Sequence, residues 1–150
     1  MKSCMFVGQY EISHERIPKV EEQLYSLIEI ALADGFERFV LEGANGFTAL
    51  AGKILLDIRE NRPLLVEVLI PYWPRPESFS EDKKEEYISI LERADWTEQL
   101  SLTAVTDGVM RNSHLHYLYN HERCIAWRGS AVESAYARLV GREWIILNED

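Results

Sequence analysis

Residues 39–48 read Phe39-Val40-Leu41-Glu42-Gly43-Ala44-Asn45-Gly46-Phe47-Thr48. The apolar run Phe39-Val40-Leu41 suits a strand buried on both faces, and it ends at Glu42-Gly43. From about Phe47 to Asn61, Ala51, Leu55 and Ile58 share one face of a helix. Gly43 permits a sharp exit from the strand, and Gly46 lets the backbone come close to a bound group. The segment is therefore a strand, a glycine turn and the opening of a helix. A helix N-terminus presents unpaired N–H groups and partial positive charge, so it favours an anion. Thr48 falls in the first helical turn, within reach of those N–H groups or of a phosphate oxygen. The plainer reading is an ordinary Gly-containing strand-to-helix turn.

Outward from this segment, short apolar runs alternate with helical patterns. Cys4-Met5-Phe6-Val7, closed by Gly8, reads as the first strand. A helix is expected from Pro18 to Asp34, with Val20, Leu24, Leu27, Ile28 and Ala31 in one stripe and Gly35 as its stop. Leu64 to Ile70 is a buried strand between Pro63 and Pro71. Tyr72 to Ser80 reads as a stiff loop, whose Tyr72-Trp73 pair packs over the sheet edge or stacks on a base. Ser80 caps a helix running to about Ala94. Leu100 and Leu102 suggest a short strand, and Thr106-Asp107-Gly108 a turn. Arg111 to Asn120 should be helical, Arg123 to Trp127 a strand, Ser130 to Val140 a helix ended by Gly141, and Trp144 to Leu147 the last strand. Helical crossovers between all-apolar strands call for a three-layer, doubly wound, mostly parallel α/β sheet of Rossmann-like type. With 150 residues and no repeat or linker, one domain is expected.

Composition narrows the functions. Hydrophobic residues make up 47% and charged residues 27%, an ordinary globular balance. The net charge of −9 repels phosphate backbones, so general nucleic-acid binding is not expected. A small anion held by backbone N–H groups remains compatible with it. No apolar stretch reaches the roughly 20 residues of a bilayer span, and no signal-peptide pattern opens the chain. Cys4 and Cys124, each in an apolar run, read as buried free thiols. The expectation is a cytoplasmic protein without a membrane partner. Base rates for this fold type make a homodimer the default assembly.

In open parallel sheets, ligands sit beyond the carboxyl ends of the strands. Three turns leave such ends with unusual residues. Gly8-Gln9-Tyr10 follows the first strand, Gly43 to Thr48 the second, and Trp127-Arg128-Gly129-Ser130 the strand that begins near Arg123. In the last, Gly129 frees the backbone, Ser130 caps the following helix, and Arg128 offers a planar donor fork to phosphate or carboxylate. Read plainly, Ser130 is only a cap and Arg128 a solvated charge. His114, His116 and His121 are close in sequence. The first two point about 200° apart on a helix, and no partner has metal-binding spacing, so no metal or cofactor is expected. No nucleophile-elbow pattern supports a Ser-His-Asp arrangement.

With these turns in place, the chain resembles the YpsA-like family of the SLOG superfamily over nearly its whole length. Phe6-Val7-Gly8-Gln9-Tyr10 stands where the family has Phe-Thr-Gly-His-Arg. Glu42 to Thr48 stands where it has Ser-Gly-x-x-Gly-Val-Asp/Glu. Ile70-Pro71-Tyr72, the helix Tyr87 to Asp95, Arg111-Asn112 and Trp127 to Ala131 follow in the family's order. The resemblance implies a doubly wound parallel sheet that binds nucleotides or nucleotide-derived signals. Relatives include phosphoribohydrolases of the LOG type, which cleave an N-glycosidic bond, and nucleotide sensors. The chain departs at the family's His-Arg pair (Gln9-Tyr10), at its acidic turn residue (Thr48) and at a glycine (Arg128).

These departures favour a sensor or binding module, one that uses its ligand-bound state as a signal, over an enzyme. Gly43, Gly46 and Thr48 would hold one phosphate of a nucleotide-like ligand, Gly8 would leave it room and Gln9 would contact it. Arg128, Gly129 and Ser130 would hold a second anionic group, with Arg111 and Asn112 reaching in. The rival is a nucleotide N-glycosidase using Glu42 or Glu133 as its carboxylate. A third reading is a degenerate scaffold for protein–protein contact.

Overall fold

The computed structural model describes residues 2–8, 11–71, 75–99, 121–128 and 143–147. Six strands, β1 (Lys2–Val7), β2 (Phe36–Glu42), β3 (Leu65–Ile70), β4 (Trp96–Gln99), β5 (Arg123–Trp127) and β6 (Glu143–Leu147), form one sheet in the order β4-β3-β2-β1-β5-β6. Every adjacent pair is parallel. The chain winds from β1 out to β4 in one direction, then returns to the other side of β1 for β5 and β6. The sheet is thus doubly wound, as the alternation predicts, and the strand order reverses between β1 and β5.

The helices α1 (Ile17–Ala33), α2 (Phe47–Arg59) and α3 (Glu81–Arg93) cross between successive strands. In α1, Val20, Leu24, Ile28 and Ala31 are buried. The 3.6-residue period brings those four onto one stripe, which faces the sheet. Ser80 caps α3 as expected, its Oγ accepting from the Lys83 N–H at 3.4 Å. The alternation of side chains across each strand then sorts the core. Cys4, Phe6, Phe39, Leu41, Val66, Val68, Ile125 and Trp127 pack with the buried residues of the three helices. Met5, Val7, Val40, Leu69, Cys124 and Ala126 form a second cluster on the opposite face. Both faces are buried, as a three-layer arrangement requires.

Strand β4 departs from the sequence expectation, which puts the strand at Leu100 and Leu102, residues outside the described set. Trp96-Thr97-Glu98-Gln99 is mostly exposed and has no apolar run to mark it. Its pairing is set by Asp95, whose carboxylate accepts the Val66 N–H at 2.8 Å while its own N–H donates to the Val66 carbonyl at 2.7 Å. The expected helices at 111–120 and 130–140 also lie outside the described residues.

At the amino ends of the strands, Arg123 ties Asp34 and Glu143 together, each at 2.8 Å. Burial would lower its pKa. The hydrogen bonds and charges of the two carboxylates outweigh that and hold the guanidinium above its usual value. At the carboxyl ends, the ring of Phe47 stacks on Trp127 with centroids 5.7 Å apart and planes 15° apart. Both rings are fully buried. The contact reaches from the first residue of α2 to the last residue of β5, two strands away from β2.

Cys4 and Cys124 are free and buried, on opposite faces of adjacent strands, so the sheet itself separates their thiols. Burial pushes the Cys4 thiol far above its ordinary value of 9.0. The folded state therefore keeps the Cys4 proton at a pH where the unfolded chain releases it. This contribution to stability is complete below about pH 9 and is lost as pH rises further, by about 1.4 kcal/mol per pH unit. Urea denaturation should show that added slope in the native sequence and its loss in Cys4→Ala. For Phe47→Ala, the same assay should show a loss of about 3–5 kcal/mol, the cost of deleting a buried aromatic ring. A loss below about 1 kcal/mol would mean that the stack carries no packing energy.

Candidate functional site

The Phe47–Trp127 stack determines what stands at the carboxyl edge of the sheet. It draws the start of α2 across β1 toward β5, where the strand order reverses and open α/β sheets bind their ligands. Gly8, the residue after β1, fits beneath this crossing. Its φ is +116°, and a Cβ there would come within 2.8 Å of the Trp127 carbonyl oxygen and 3.0 Å of the Trp127 Cβ. A side chain at position 8 would force β1 and β5 apart. The Trp127 indole N–H is buried and has no hydrogen-bond partner among the described residues.

Gly43 continues the β2–β3 ladder by donating its N–H to the Leu69 carbonyl at 2.7 Å, and the chain then turns through Ala44-Asn45-Gly46. Gly46 occupies the N-cap position of α2 with φ 60° and ψ −122°, a region open essentially to glycine alone. It supplies no side-chain cap, and the first turn of α2 contains no acidic residue. Helix α3 is the opposite case, with Ser80 as cap and Glu81 and Asp82 in its first turn. The α2 terminus thus keeps its partial positive charge without a neighbouring carboxylate in that turn.

Thr48 is fully buried, and its hydroxyl works within the turn. It accepts the Asn45 N–H at 3.2 Å and donates to the Asn45 carbonyl at 3.1 Å. The side chain therefore fixes the shape of the turn around Gly46. Glu42, at the end of β2, accepts the Gly8 N–H at 3.3 Å. Its carboxylate consequently leans over the end of β1. Arg128 follows Trp127 with φ 56°, and its backbone N–H donates to the Leu147 carbonyl of β6 at 3.1 Å.

Of the residues that the sequence nominates, Gly8, Glu42, Gly43, Gly46, Thr48 and Arg128 gather at this one edge. Gln9, Arg111, Asn112, Gly129, Ser130 and Glu133 lie outside the described residues, as do His114, His116, Tyr72 and Trp73. His121 belongs to the opposite edge, where its Nδ1 lies 2.8 Å from the Ser3 Oγ. Ser3 is 2% exposed and is also held by Glu122 through its N–H at 2.7 Å and its hydroxyl at 3.2 Å. That contact joins β1 to the approach of β5. Among the described residues, no group of three or more His, Cys, Asp and Glu could hold a metal ion. No described helix is long and apolar enough to cross a membrane.

Sequence reasoning names Phe47 and Trp127 as motif neighbours but misses that they touch. Nothing in their 80-residue separation signals a stack. It also misses a groove of about 510 Å³ that runs from Gly46 along α2, floored by Ile12, Ile17, Leu50 and Ile54. Ion pairs flank this groove. Lys83 of α3 meets Glu11 of the β1–α1 connection, and Lys53 meets Glu86 at 3.1 Å.

The chain is similar in sequence to several curated proteins. A UPF0398 protein of Lysinibacillus sphaericus (strain C3-41) is 23% identical over 96 residues, which is 63% of this chain and 54% of the relative. One from Bacillus velezensis is 32% identical over 83 residues, or 55% of this chain and 43% of the relative. A third, from Bacillus pumilus (strain SAFR-032), is 23% identical over 96 residues, or 63% and 52%. The chain spans about half the length of the curated relatives it matches. The family model YpsA, described as the YspA SLOG family, matches residues 4–126, from the core of β1 to the penultimate residue of β5. The chain belongs to the YpsA family of SLOG proteins.

Proposed function

We propose that this protein is a cytoplasmic binding module that holds a nucleotide or nucleotide-derived ligand, with a phosphate at the N-terminus of α2. The observation that carries the reading is the Phe47–Trp127 stack, which sets an α2 terminus without side-chain cap or acidic first turn over the ends of β1 and β5. Backbone N–H groups at such a terminus bind an anion despite a net charge of −9. Gly46 lets the ligand approach the backbone, and Thr48 holds the turn in shape. The groove beginning at Gly46 offers room for the rest of the ligand, within the usual size range of small-molecule sites. Gln9, Arg128, Gly129 and Ser130 complete the proposal on the β1 and β5 sides, with Arg111 and Asn112. Two free buried thiols suit a reducing compartment.

One observation favours a second reading, an N-glycosidase acting on nucleotides. Glu42 leans over the strand ends, where a carboxylate could stabilise charge on a sugar. Against it, the first turn of α2 contains no acid. Release of free base from nucleoside monophosphates, abolished in Glu42→Gln, would establish the enzyme reading.

Calorimetric titration with ADP-ribose, NAD, AMP and cyclic dinucleotides tests the binding reading, which expects saturable heat from at least one of them. Silence across the panel at millimolar ligand would contradict it. In Gly46→Val, a side chain intrudes on the turn and its backbone is strained by about 1–3 kcal/mol. Affinity should fall at least tenfold while the protein remains folded by circular dichroism. An unchanged affinity would place the ligand elsewhere.

A further inference from the structure

We infer that the groove between α1 and α2 docks a basic amphipathic helix of a partner protein, with apolar side chains on its floor and a lysine or arginine against Glu21 and Asp57. The inference needs nothing at the α2 terminus, so it stands apart from the nucleotide reading. Two ridges of side chains form the groove. On α1, Ile17, Glu21 and Tyr25 recur every four residues and line one side over about 12 Å. On α2, Leu50, Ile54 and Asp57 face them at a similar helical spacing. The two sides meet at the far end, where the Tyr25 hydroxyl donates to the Asp57 carboxylate at 3.1 Å. The groove is therefore apolar along its floor and acidic at the end away from Gly46.

The charges around the groove do not cancel. Lys83 pairs with Glu11 and Lys53 with Glu86, which uses both lysines of the rim. Glu21 and Asp57 have no cation within ion-pair distance among the described residues. Burial, the hydrogen bond to Asp57 and the charges of Asp57 and Glu21 hold the Tyr25 phenol above its ordinary pKa, as a negative potential does. An occupant must then be apolar along its length and cationic at one end. The net charge of −9 adds a field that draws a basic partner from a distance. The shape calls for a helix. Glu11, Lys53, Asp57 and Lys83 are exposed, so the groove is an open trough with a polar rim around an apolar floor, the anatomy of a protein interface. Ridges that repeat once per helical turn receive side chains spaced three or four residues apart on a partner helix.

The test is fluorescence anisotropy with synthetic helical peptides. It is run without nucleotide, since one reaching into the groove from Gly46 would compete. The patterned peptide carries leucines at i, i+4 and i+7 with lysines one turn beyond, and is made in both sequence directions. A scrambled peptide of the same composition and a version with glutamate for lysine are the controls. One patterned peptide should bind at least about tenfold more tightly than either control. Glu21→Lys combined with Asp57→Lys should weaken that binding about tenfold or more, as should Leu50→Glu with its fold intact by circular dichroism. If Leu50→Glu does not fold, the charge-reversed pair decides. Glu85→Lys combined with Glu92→Lys makes the same change of net charge at exposed positions of α3, and should cost less than about twofold. Equal binding of patterned and scrambled peptides, equal losses in the two charge-reversed pairs, or no binding of any peptide would overturn the inference. So would a concentration-dependent dimer abolished by Leu50→Glu, which would give the groove to a second copy of this chain.

Discussion

The stack of Phe47 on Trp127 is the contact on which the carboxyl edge of the sheet, and the binding site proposed there, depends. A strand order of β4-β3-β2-β1-β5-β6 puts the reversal between β1 and β5, yet the glycine turn follows β2, one strand away. Without a contact that leans the start of α2 across β1, the turn would face the crevice edge-on. Two fully buried rings at 5.7 Å supply that contact, and the apolar area they remove from water anchors it. The constraint extends to position 8, where only glycine leaves β1 close enough to Trp127 for the crossing to pass. One packing interaction thus explains the glycine at the end of β1, the aromatic at the start of α2 and the tryptophan at the end of β5.

The two edges of the sheet are built for different purposes. At the amino edge Arg123 lies between Asp34 and Glu143, and Ser3, His121 and Glu122 close on one another. That edge stores stability. At the carboxyl edge the helix terminus carries no side-chain cap and no first-turn acid, and a carboxylate reaches across to a backbone N–H. The chain spends polar groups there on shape: Thr48 bonds twice to Asn45. An acidic protein can hold an anion in this way because the donors are backbone groups at short range, while the net charge acts through screening solvent.

Most of the fold was legible because its strands are buried on both faces. Val68 to Ile70, Cys4 to Val7 and Cys124 to Trp127 carry continuous apolar runs, and α1 displays its stripe directly in the sequence. Strand β4 was not legible. As an edge strand it exposes most of its side chains, and its place is fixed by the two bonds of Asp95, one from its carboxylate and one from its N–H, to the Val66 backbone rather than by hydrophobicity. The glycine turn was legible as a turn, since Gly43 and Gly46 bracket it. The use of Thr48 was not, because a threonine in a first helical turn can face either a ligand or its own backbone, and only packing decides. The direction of Glu42 likewise depended on Gly8, 34 residues away, and the stack depended on two rings 80 residues apart.

The central claim is that a phosphate rests on the N–H groups that open α2. Amide chemical shifts in a ¹⁵N-labelled sample, followed during titration with a nucleoside monophosphate, test it residue by residue. The account predicts saturable shifts concentrated at Gly46, Phe47, Thr48 and Ala49, with Gly8 following, and little change at Ser3, Arg123 or Glu143. Saturable binding that leaves the Gly46 to Ala49 amides unmoved would contradict it.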